Sequence, residues 1–368
     1  MYNTVLNLKG LFMSELLRTS LYDEHKKLNA RNVSFCGWEM PVQYESIIKE
    51  HDACRNNAAL FDISHMGEFF FSGDITTSGV NESVTQDLIK LPVGKCKYGF
   101  LLNENGGIID DLIIYKLSED RLMFVVNAAR REIDFKTIKS RLKSGDFKDK
   151  SFEISKIDIQ GPNSKNILQK FISDNLDEFK YFGFKESLFD GFDCIVSRTG
   201  YTGELGFELY MANDKAKAVW KKLLDGGALP AGLGARDLLR LEMGYSLYGN
   251  ELNEQTTPLE ANLSMFVKFD TNFVGKDILI KQKEEGVKKI VLPFRTNSRR
   301  APKYGNDIIQ NGKVIGEVTS GAYSPSLGYG IGLGFFDTKK FDKSQKFEVK
   351  DTRGSIEVEL DTLPFLKK

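Results

Sequence analysis

The sequence predicts a mixed α+β protein of more than one domain that ends in a separate all-β domain. Its 368 residues exceed what one ordinary core holds, and this length favours roughly two to three domains. Up to about Gly275, helical and strand patterns alternate without a regular βαβ rhythm. Beyond it, short β-type runs are punctuated by Gly, Asn and Asp, a spacing typical of a barrel or a sandwich.

Composition narrows the classes of partner. The chain has 51 basic and 51 acidic side chains, and this zero net charge argues against nucleic acid or an anionic membrane as the main partner. The apolar share of 41% is that of a folded protein, and no apolar run approaches the roughly 18 residues of a membrane span. Residues 1–12 have no long apolar stretch and no arginine, so we expect neither a signal nor a transit peptide and predict a cytoplasmic protein.

Cysteine and histidine usage argues against a metal or disulfide framework. The four cysteines, Cys36, Cys54, Cys96 and Cys194, are far apart and form no CxxC pair, and the chain has only three histidines. The sequence therefore predicts free thiols in a reducing compartment and no metal site.

Helices are predicted where apolar residues recur three or four positions apart. The first begins near Thr19-Ser20, and the others cover residues 47–58, 80–91, 133–142, 167–172, 218–224 and 235–247.

Strands are predicted from β-type runs bounded by turn residues. In the first part of the chain they cover residues 66–72, 98–102, 108–115, 122–126, 194–198 and 207–211, with a tight turn at 103–107 and a surface loop at 144–150. In the C-terminal part they cover residues 290–294, 307–310, 313–319, 331–335 and 355–360, and residues 281–289 form a charge-rich run.

The strand predicted at 108–115 carries the first candidate site. Strand side chains alternate between faces, so Asp111, Ile113 and Tyr115 share one face, and Val125 and Asn127 share a face of the neighbouring strand. A carboxylate among aliphatic and aromatic groups suits binding of a flat heterocycle and movement of a proton. The alternative is that Asp110-Asp111 caps a turn or lies at a solvated strand end.

A glycine-rich loop before Glu208 is the second candidate. Gly200, Gly203 and Gly206 permit tight turns and close approach of a ligand, but the pattern is neither GxGxxG nor a Walker loop, so no phosphate cradle is implied. If Glu208 is buried, it needs an N–H donor as partner. The alternative is a glycine-rich hairpin with an exposed glutamate.

The third candidate is a glycine turn that leads into a helix at residues 232–242. Arg236 and Arg240 are four apart and share a face, and a guanidinium fork suits carboxylates or heterocycle acceptors. The alternative is a surface helix with local pairs such as Asp237–Arg240. We expect structural roles for His65 and Trp38.

Together these segments resemble a known family, the aminomethyltransferases (T-proteins) of the glycine cleavage system. The resemblance runs in order from about Leu17 to Gly334 with little insertion. It is carried by residues 28–44, 60–68, 103–112, 126–128, 160–162, 198–208, 232–242, 247–250, 256–261, 319–321 and 324–328.

The resemblance implies a three-domain α+β fold around a central funnel that holds tetrahydrofolate. The first α+β domain would comprise residues 13–60 and 145–250, interleaved with a second at 61–144. A connecting segment at 251–285 would lead to a C-terminal barrel-like β domain at 286–368.

The resemblance also implies a reaction and the residues that perform it. The aminomethyl group on the lipoyl arm of H-protein would pass to tetrahydrofolate, giving 5,10-methylenetetrahydrofolate, ammonia and dihydrolipoyl H-protein, with no metal. Asp111 matches the essential catalytic aspartate, and Glu208 and Arg236 match the residues that hold the pterin ring. The positions lining the folate site are matched by Tyr98, Ile113, Tyr115, Val125, Asn127 and Tyr201.

Two departures and two alternatives accompany the resemblance. Phe266 stands where many members have tryptophan, and residues 299–305 fit loosely, which affects the expected contacts of the folate tail. A tetrahydrofolate-dependent demethylase of a small sulfur or nitrogen methyl compound would keep the same folate site. A folate-binding iron–sulfur assembly factor would carry a Lys-Gly-Cys-Tyr motif, and residues 94–99 lack that order.

Overall fold

The computed structural model describes residues 16–367, and in these the chain forms two larger open sheets, a small hairpin sheet and a closed barrel. The expectations for residues 1–12 lie outside the described part. Within residues 16–367, no helix is both long enough and apolar enough to cross a membrane.

Nineteen strands and seven α-helices make up the regular structure of the described residues. The strands are β1 (Arg31–Phe35), β2 (Trp38–Gln43), β3 (Ala59–Asp62), β4 (Gly67–Ser72), β5 (Cys96–Leu102), β6 (Ile108–Ser118), β7 (Arg121–Val126), β8 (Asp146–Asp149), β9 (Ile154–Gln160), β10 (Phe184–Phe189), β11 (Phe192–Ser197), β12 (Gly206–Ala212), β13 (Leu229–Pro230), β14 (Lys289–Thr296), β15 (Asp307–Gln310), β16 (Lys313–Tyr323), β17 (Gly330–Asp337), β18 (Phe347–Asp351) and β19 (Gly354–Leu360). The helices are α1 (Tyr22–Lys27), α2 (Ile47–Asn56), α3 (Arg131–Arg141), α4 (Ser164–Leu168), α5 (Asn213–Asp225), α6 (Leu233–Glu242) and α7 (Lys276–Glu285).

The strand order confirms the predicted fold class, a mixed α+β protein with a C-terminal barrel. One sheet has the order β10-β11-β12-β9-β3-β13 and the other β5-β6-β7-β4-β8, while β1 and β2 form the hairpin sheet. The last six strands close as β14-β17-β16-β15-β18-β19. The domain bounds given above stay a prediction.

The two open sheets meet face to face, and this contact positions the site. Tyr115 and Met123 of the β5–β8 sheet share a buried apolar cluster with Tyr210 of β12. The hydroxyl groups of Tyr115 and Tyr210 lie 2.9 Å apart, so a hydrogen bond joins the inner faces of β6 and β12.

Two predicted elements are wrong. The apolar residues at 80–91 do not form a helix; only the 3-10 turn Asn81–Ser83 is helical. Asn81 accepts a hydrogen bond from the Leu88 backbone at 2.8 Å, and such side-chain bonds favour loop over helix. The predicted surface loop at 144–150 contains β8, a short edge strand that pairs with β4 because Phe147 is buried in the core beneath it.

Several helix bounds differ from the prediction. The helix predicted to reach residue 247 ends at Glu242, because Gly244 takes a positive φ of 72° that stops the helix. The helix predicted at 167–172 lies earlier in the chain, as α4 at Ser164–Leu168. The charge-rich run at 281–289 begins inside α7, a helix that the spacing of apolar residues did not predict.

Candidate active site

Asp111 lies on β6, the second strand of the β5–β8 sheet. Its Oδ2 accepts a hydrogen bond from the Tyr98 hydroxyl at 3.0 Å, and its Oδ1 accepts one from Asn127 Nδ2 at 2.8 Å. Tyr98 reaches it because β5 pairs Tyr98 with Ile113, on the same face of the sheet. The structure therefore brings three of the predicted site residues together around one carboxylate.

Two further carboxyl groups, Asp110 and Asp134, lie near Asp111, and Asp110 changes its titration. Burial, and then the charge of the adjacent Asp110, raise the pKa of Asp111 to about 7. Asp110 itself is buried and accepts bonds from the backbone and side-chain nitrogens of Asn127, each at 2.9 Å, and burial raises its pKa to about 6. Burial and the charge of Asp110 also raise the pKa of Asp134 in α3 well above its usual range.

The predicted alternation of side chains along β6 is confirmed. Ile113 and Tyr115 pack with Val125 in the cluster between the sheets, while Leu112 and Ile114 pack in the core on the other side. Tyr115 is fully buried, with its hydroxyl bonded to Ser197 as well as to Tyr210. Tyr115 therefore supports the site from the buried contact between the two sheets. Ile113 and Val125 lie directly opposite each other on β6 and β7.

Glu208 lies on β12, in the interior of the six-stranded sheet, and is 3% exposed. The exposed-hairpin alternative is thus wrong. Its Oε2 accepts a 2.5 Å bond from the Thr199 hydroxyl, and its Oε1 lies 3.2 Å from the ammonium nitrogen of Lys156, which supplies the N–H donor that burial requires. Burial raises the pKa of Glu208, but Lys156 and Thr199 outweigh it and hold that pKa below its usual range.

Arg236 projects from α6 toward the same sheet. Its Nη1 donates to Asp158 Oδ2 at 2.7 Å, and its guanidinium carbon lies 5.2 Å from the Tyr201 ring centre and 5.8 Å from that of Phe61. Burial raises the pKa of Asp158 to about 6, although Arg236 opposes this. The guanidinium group is thus oriented by a carboxylate and flanked by two rings.

Arg240 does not join this site. Its side chain is 1% exposed, and it donates to Asp237 and to Ser320 of the barrel, both at 2.8 Å. The Asp237–Arg240 pair named as an alternative is confirmed, but the surface helix named with it is wrong, because most of α6 is buried. Arg240 belongs to the contact between α6 and the barrel.

The glycine loop, residues 200–206, contains Tyr201 and packs closely against the Gln160 side chain. The Tyr201 hydroxyl donates to the Ser246 carbonyl, and its ring stacks on Tyr245 with centres 5.7 Å apart. A Cβ atom at Gly200 or Gly206 would lie 2.2 or 2.1 Å from the Gln160 amide nitrogen, so only glycine allows this approach. The same nitrogen donates to Asp158 at 2.7 Å, which links the loop to the site.

Sequence reasoning missed Lys156, Asp158 and Gln160, which line one face of β9. Residues 156–160 alternate polar and apolar side chains, with Ile157 and Ile159 buried in the opposite core. This period-two pattern is a strand signal and could have identified the three residues.

Three other residues that the sequence singled out are Phe266, His65 and Trp38. The ring of Phe266, the position of the departure from the family pattern, is 4.9 Å from the ring of Tyr98. His65 is buried, and burial lowers its pKa to about 4, so the imidazole is neutral at physiological pH. Trp38 is buried, as expected. Over residues 16–367, no group of three or more His, Cys, Asp or Glu could hold a metal ion.

Family models of known proteins match almost the whole chain. Residues 21–271 match the family model described as the GCVT N-terminal domain, and residues 289–367 match the glycine cleavage T-protein C-terminal barrel domain. Aminomethyltransferase from Thermoanaerobacter pseudethanolicus is 44% identical over 97% of this chain and 99% of the relative. The enzyme of the same name from Flavobacterium psychrophilum is 42% identical over 95% of this chain and 99% of the relative.

A solved structure gives the same result. The crystal structure of glycine cleavage system aminomethyltransferase T from Bartonella henselae matches with a TM-score of 0.90 and 30% identity, covering 96% of this chain and 98% of that one. The chain therefore belongs to the glycine cleavage T-protein family. Within that family it is an enzyme, an aminomethyltransferase of the glycine cleavage system.

Proposed function

We propose that the chain transfers the aminomethyl group from the lipoyl arm of H-protein to tetrahydrofolate, with Asp111 as the catalytic residue. The products would be 5,10-methylenetetrahydrofolate, ammonia and dihydrolipoyl H-protein. The observation that carries this proposal is the Asp111 carboxylate, which accepts hydrogen bonds from Tyr98 and Asn127. The strand of Asp111, β6, is in turn hydrogen-bonded through its inner face to β12, the strand that carries Glu208. The T-protein family uses tetrahydrofolate, and the residues present fit such a ligand.

The fit follows from the chemistry of a pterin ring, which is flat and carries N–H donors and acceptors along its edge. A carboxylate has about four lone-pair positions, so Glu208 can accept ring N–H groups in addition to its protein contacts. The guanidinium fork of Arg236 suits the ring acceptors. Tyr201 and Ile113 offer aromatic and aliphatic surface for the ring faces, and the buried Val125 supports Ile113 from the neighbouring strand.

Asp111 would act through its negative charge. Tetrahydrofolate supplies the nitrogen nucleophile that accepts the one-carbon unit. An ionised Asp111 places negative charge where the transferred carbon becomes electron-poor as its bond to sulfur breaks. Tyr98 and Asn127 fix the direction of this carboxylate before the reactants arrive, so that no reorganisation is needed during transfer.

The wider setting of the enzyme follows from the same proposal. Lipoyl H-protein is the expected protein partner, and a cytoplasmic location stays a prediction. We also propose the three-domain division given above, since the strands of the β5–β8 sheet lie in sequence between β3 and β9 of the other open sheet.

Site variants test the assignment of roles. Glu208→Gln should weaken binding of tetrahydrofolate about tenfold or more, measured by anaerobic titration calorimetry, because an amide accepts only at its one oxygen. Asp111→Asn should keep binding within a few fold but lower the transfer rate about a hundredfold or more, since one preorganised charge is typically worth that much.

Asp120→Asn is the matched control, because Asp120 is an exposed carboxylate in the turn that follows β6. It should leave both quantities unchanged. Full transfer activity in Asp111→Asn would remove Asp111 from the mechanism.

A further inference from the structure

Lys156 is a buried cation that the sequence did not single out. It lies on β9 with 1% of its surface exposed, opposite Tyr210 in the strand register. Its ammonium nitrogen is 3.2 Å from Glu208 Oε1, 3.7 Å from the Met66 sulfur and 5.1 Å from the Tyr210 ring centre. Lysine is almost never fully buried without a charge partner, so this position calls for a specific role.

The role follows from the neighbour of Glu208 across the sheet. Glu208 and Asp158 are directly paired between β12 and β9, which places two carboxylates side by side. Like charges directly opposite each other are destabilising, and burial strengthens the repulsion. The structure gives each carboxylate its own cation: Arg236 bonds to Asp158, and Lys156 contacts Glu208.

A third carboxyl group, Glu68 on β4, lies close enough to compete for Lys156. Glu68 is fully buried, and neither of its oxygens has a hydrogen-bond partner among the described residues. Burial raises the pKa of Glu68 well above its usual range, although the Lys156 charge opposes this. When Glu68 is neutral, the two cations Lys156 and Arg236 balance the two carboxylates of Glu208 and Asp158.

We propose that Lys156 is a positioning residue for folate binding: its ammonium group keeps Glu208 ionised and directed for the pterin ring despite the adjacent Asp158. The inference rests on the proposed role of Glu208 in folate binding. Lys156 would not touch the folate itself, because its ammonium is enclosed by Glu208, Met66 and Tyr210.

A pH dependence follows once the charge is removed. The titratable and charged groups around Glu208 come from several elements and loops: Lys156, Asp158, Arg236, Tyr210, Tyr115, Cys96, Glu68 and Tyr181. Without Lys156, burial and Asp158 act on Glu208 with only Arg236 as a nearby cation. The pKa of Glu208 then rises, so Glu208 becomes protonated as the pH falls and loses acceptor positions for the ring.

The test is the dissociation constant of tetrahydrofolate for Lys156→Met and for the unchanged protein, measured anaerobically by calorimetry between pH 6 and 8.5. The ratio of the two constants cancels the titration of the ligand. Asp158 is directly paired with Glu208, so the two carboxyl groups contribute to any pH dependence together. We expect this ratio to rise as the pH falls below the new pKa of Glu208, up to the loss of affinity measured for Glu208→Gln, whose neutral amide resembles the protonated carboxyl group. A ratio above one that stays constant across this range would mean that Lys156 only supports the fold, and would overturn the proposal.

Two further variants sharpen the result. Glu68→Gln keeps the shape of a side chain that is already neutral. The ratio of its tetrahydrofolate dissociation constant to that of the unchanged protein should therefore stay near one at every pH. Lys156→Gln removes the charge but keeps a donor beside Glu208, and should show the same rise as Lys156→Met. It serves as the test if Lys156→Met does not fold, which thermal unfolding will show.

Failure of the inference can be told apart from failure of the proposed function. If Glu208→Gln binds tetrahydrofolate as tightly as the unchanged protein, the assigned role of Glu208 is wrong and the inference falls with it. If Glu208→Gln binds weakly while the Lys156 variants show a flat ratio, the folate site stands and only the inference is overturned.

Discussion

At the scale of single residues, the site depends on carboxyl groups whose titration is controlled by their neighbours. Glu208 is buried and Asp111 is half-buried, yet the pKa of Asp111 is raised to about 7 while that of Glu208 is lowered. The difference lies in the nearest charges, because Asp111 has the Asp110 carboxylate beside it and Glu208 has the Lys156 ammonium. Neighbouring charges thus suit one group to exchange a proton near neutral pH and the other to stay ionised.

The Asp110–Asp111 pair predicts a pH profile for the free enzyme. If ionised Asp111 is required, kcat/KM for tetrahydrofolate should rise with pH through about 7, because the raised pKa leaves Asp111 protonated below it. Asp110→Asn removes the neighbouring charge and keeps an acceptor for Asn127. It should therefore move this rise to lower pH, by up to about one unit.

The measurement is the initial transfer rate at low tetrahydrofolate concentration, over pH 5.5–9. Glu132→Gln provides the control, since Glu132 is an exposed carboxylate at the start of α3. An unmoved profile in Asp110→Asn would show that the charge of Asp110 does not govern Asp111.

At the scale of elements, strand alternation predicted side-chain placement better than helical spacing predicted helices. The faces of β6 could be read from residues 108–115 because a strand that divides two cores alternates strictly. The apolar spacing at 80–91 gave a false helix, since loop residues that cover a sheet can be apolar at any spacing. The alternation in β9 was equally clear but was overlooked, and Lys156 and Asp158 with it.

The glycine loop gives a prediction at this scale. Gly200→Ala would push a Cβ atom into the Gln160 amide, which is held by Asp158, Thr199 and Thr202. We expect tetrahydrofolate affinity to fall about tenfold, since displacement of Gln160 removes a hydrogen bond from the Asp158 carboxylate that orients Arg236.

Gln160→Ala provides the matched background for this test. With the amide gone, Gly200→Ala should cause little further loss, so the two effects should not add in a double-mutant cycle measured by calorimetry. Simple additivity would mean that the alanine acts through the backbone of the loop and not through Gln160.

At the scale of the whole molecule, α6 joins the six-stranded sheet to the barrel. Its Arg236 faces the site, while its Arg240 donates to Ser320 of β16. Glu251 accepts from Thr319 at 2.5 Å and from Ser320 at 2.7 Å, and lies 3.4 Å from Arg240. The sequence predicted a C-terminal β domain but could not place it, because these contacts join residues 68 to 80 positions apart.

This buried junction predicts a large loss of stability when one partner is removed. Glu251→Leu leaves the Arg240 guanidinium without its buried carboxylate partner and should destabilise the protein by about 3–5 kcal/mol. Glu359→Leu removes an exposed partner of Arg295 and should cost at most about 1 kcal/mol. Denaturant unfolding of both variants checks the prediction, and equal small losses would mean that the junction contributes little.

The most direct test of the central claim is turnover with purified aminomethylated lipoyl H-protein and tetrahydrofolate, following methylenetetrahydrofolate and ammonia in the same reaction. We predict equal release of the two products, dependent on tetrahydrofolate and lost in Asp111→Asn. Binding of tetrahydrofolate with release of neither product would contradict the claim, and would mean that the folate site is real but the donor is a different compound.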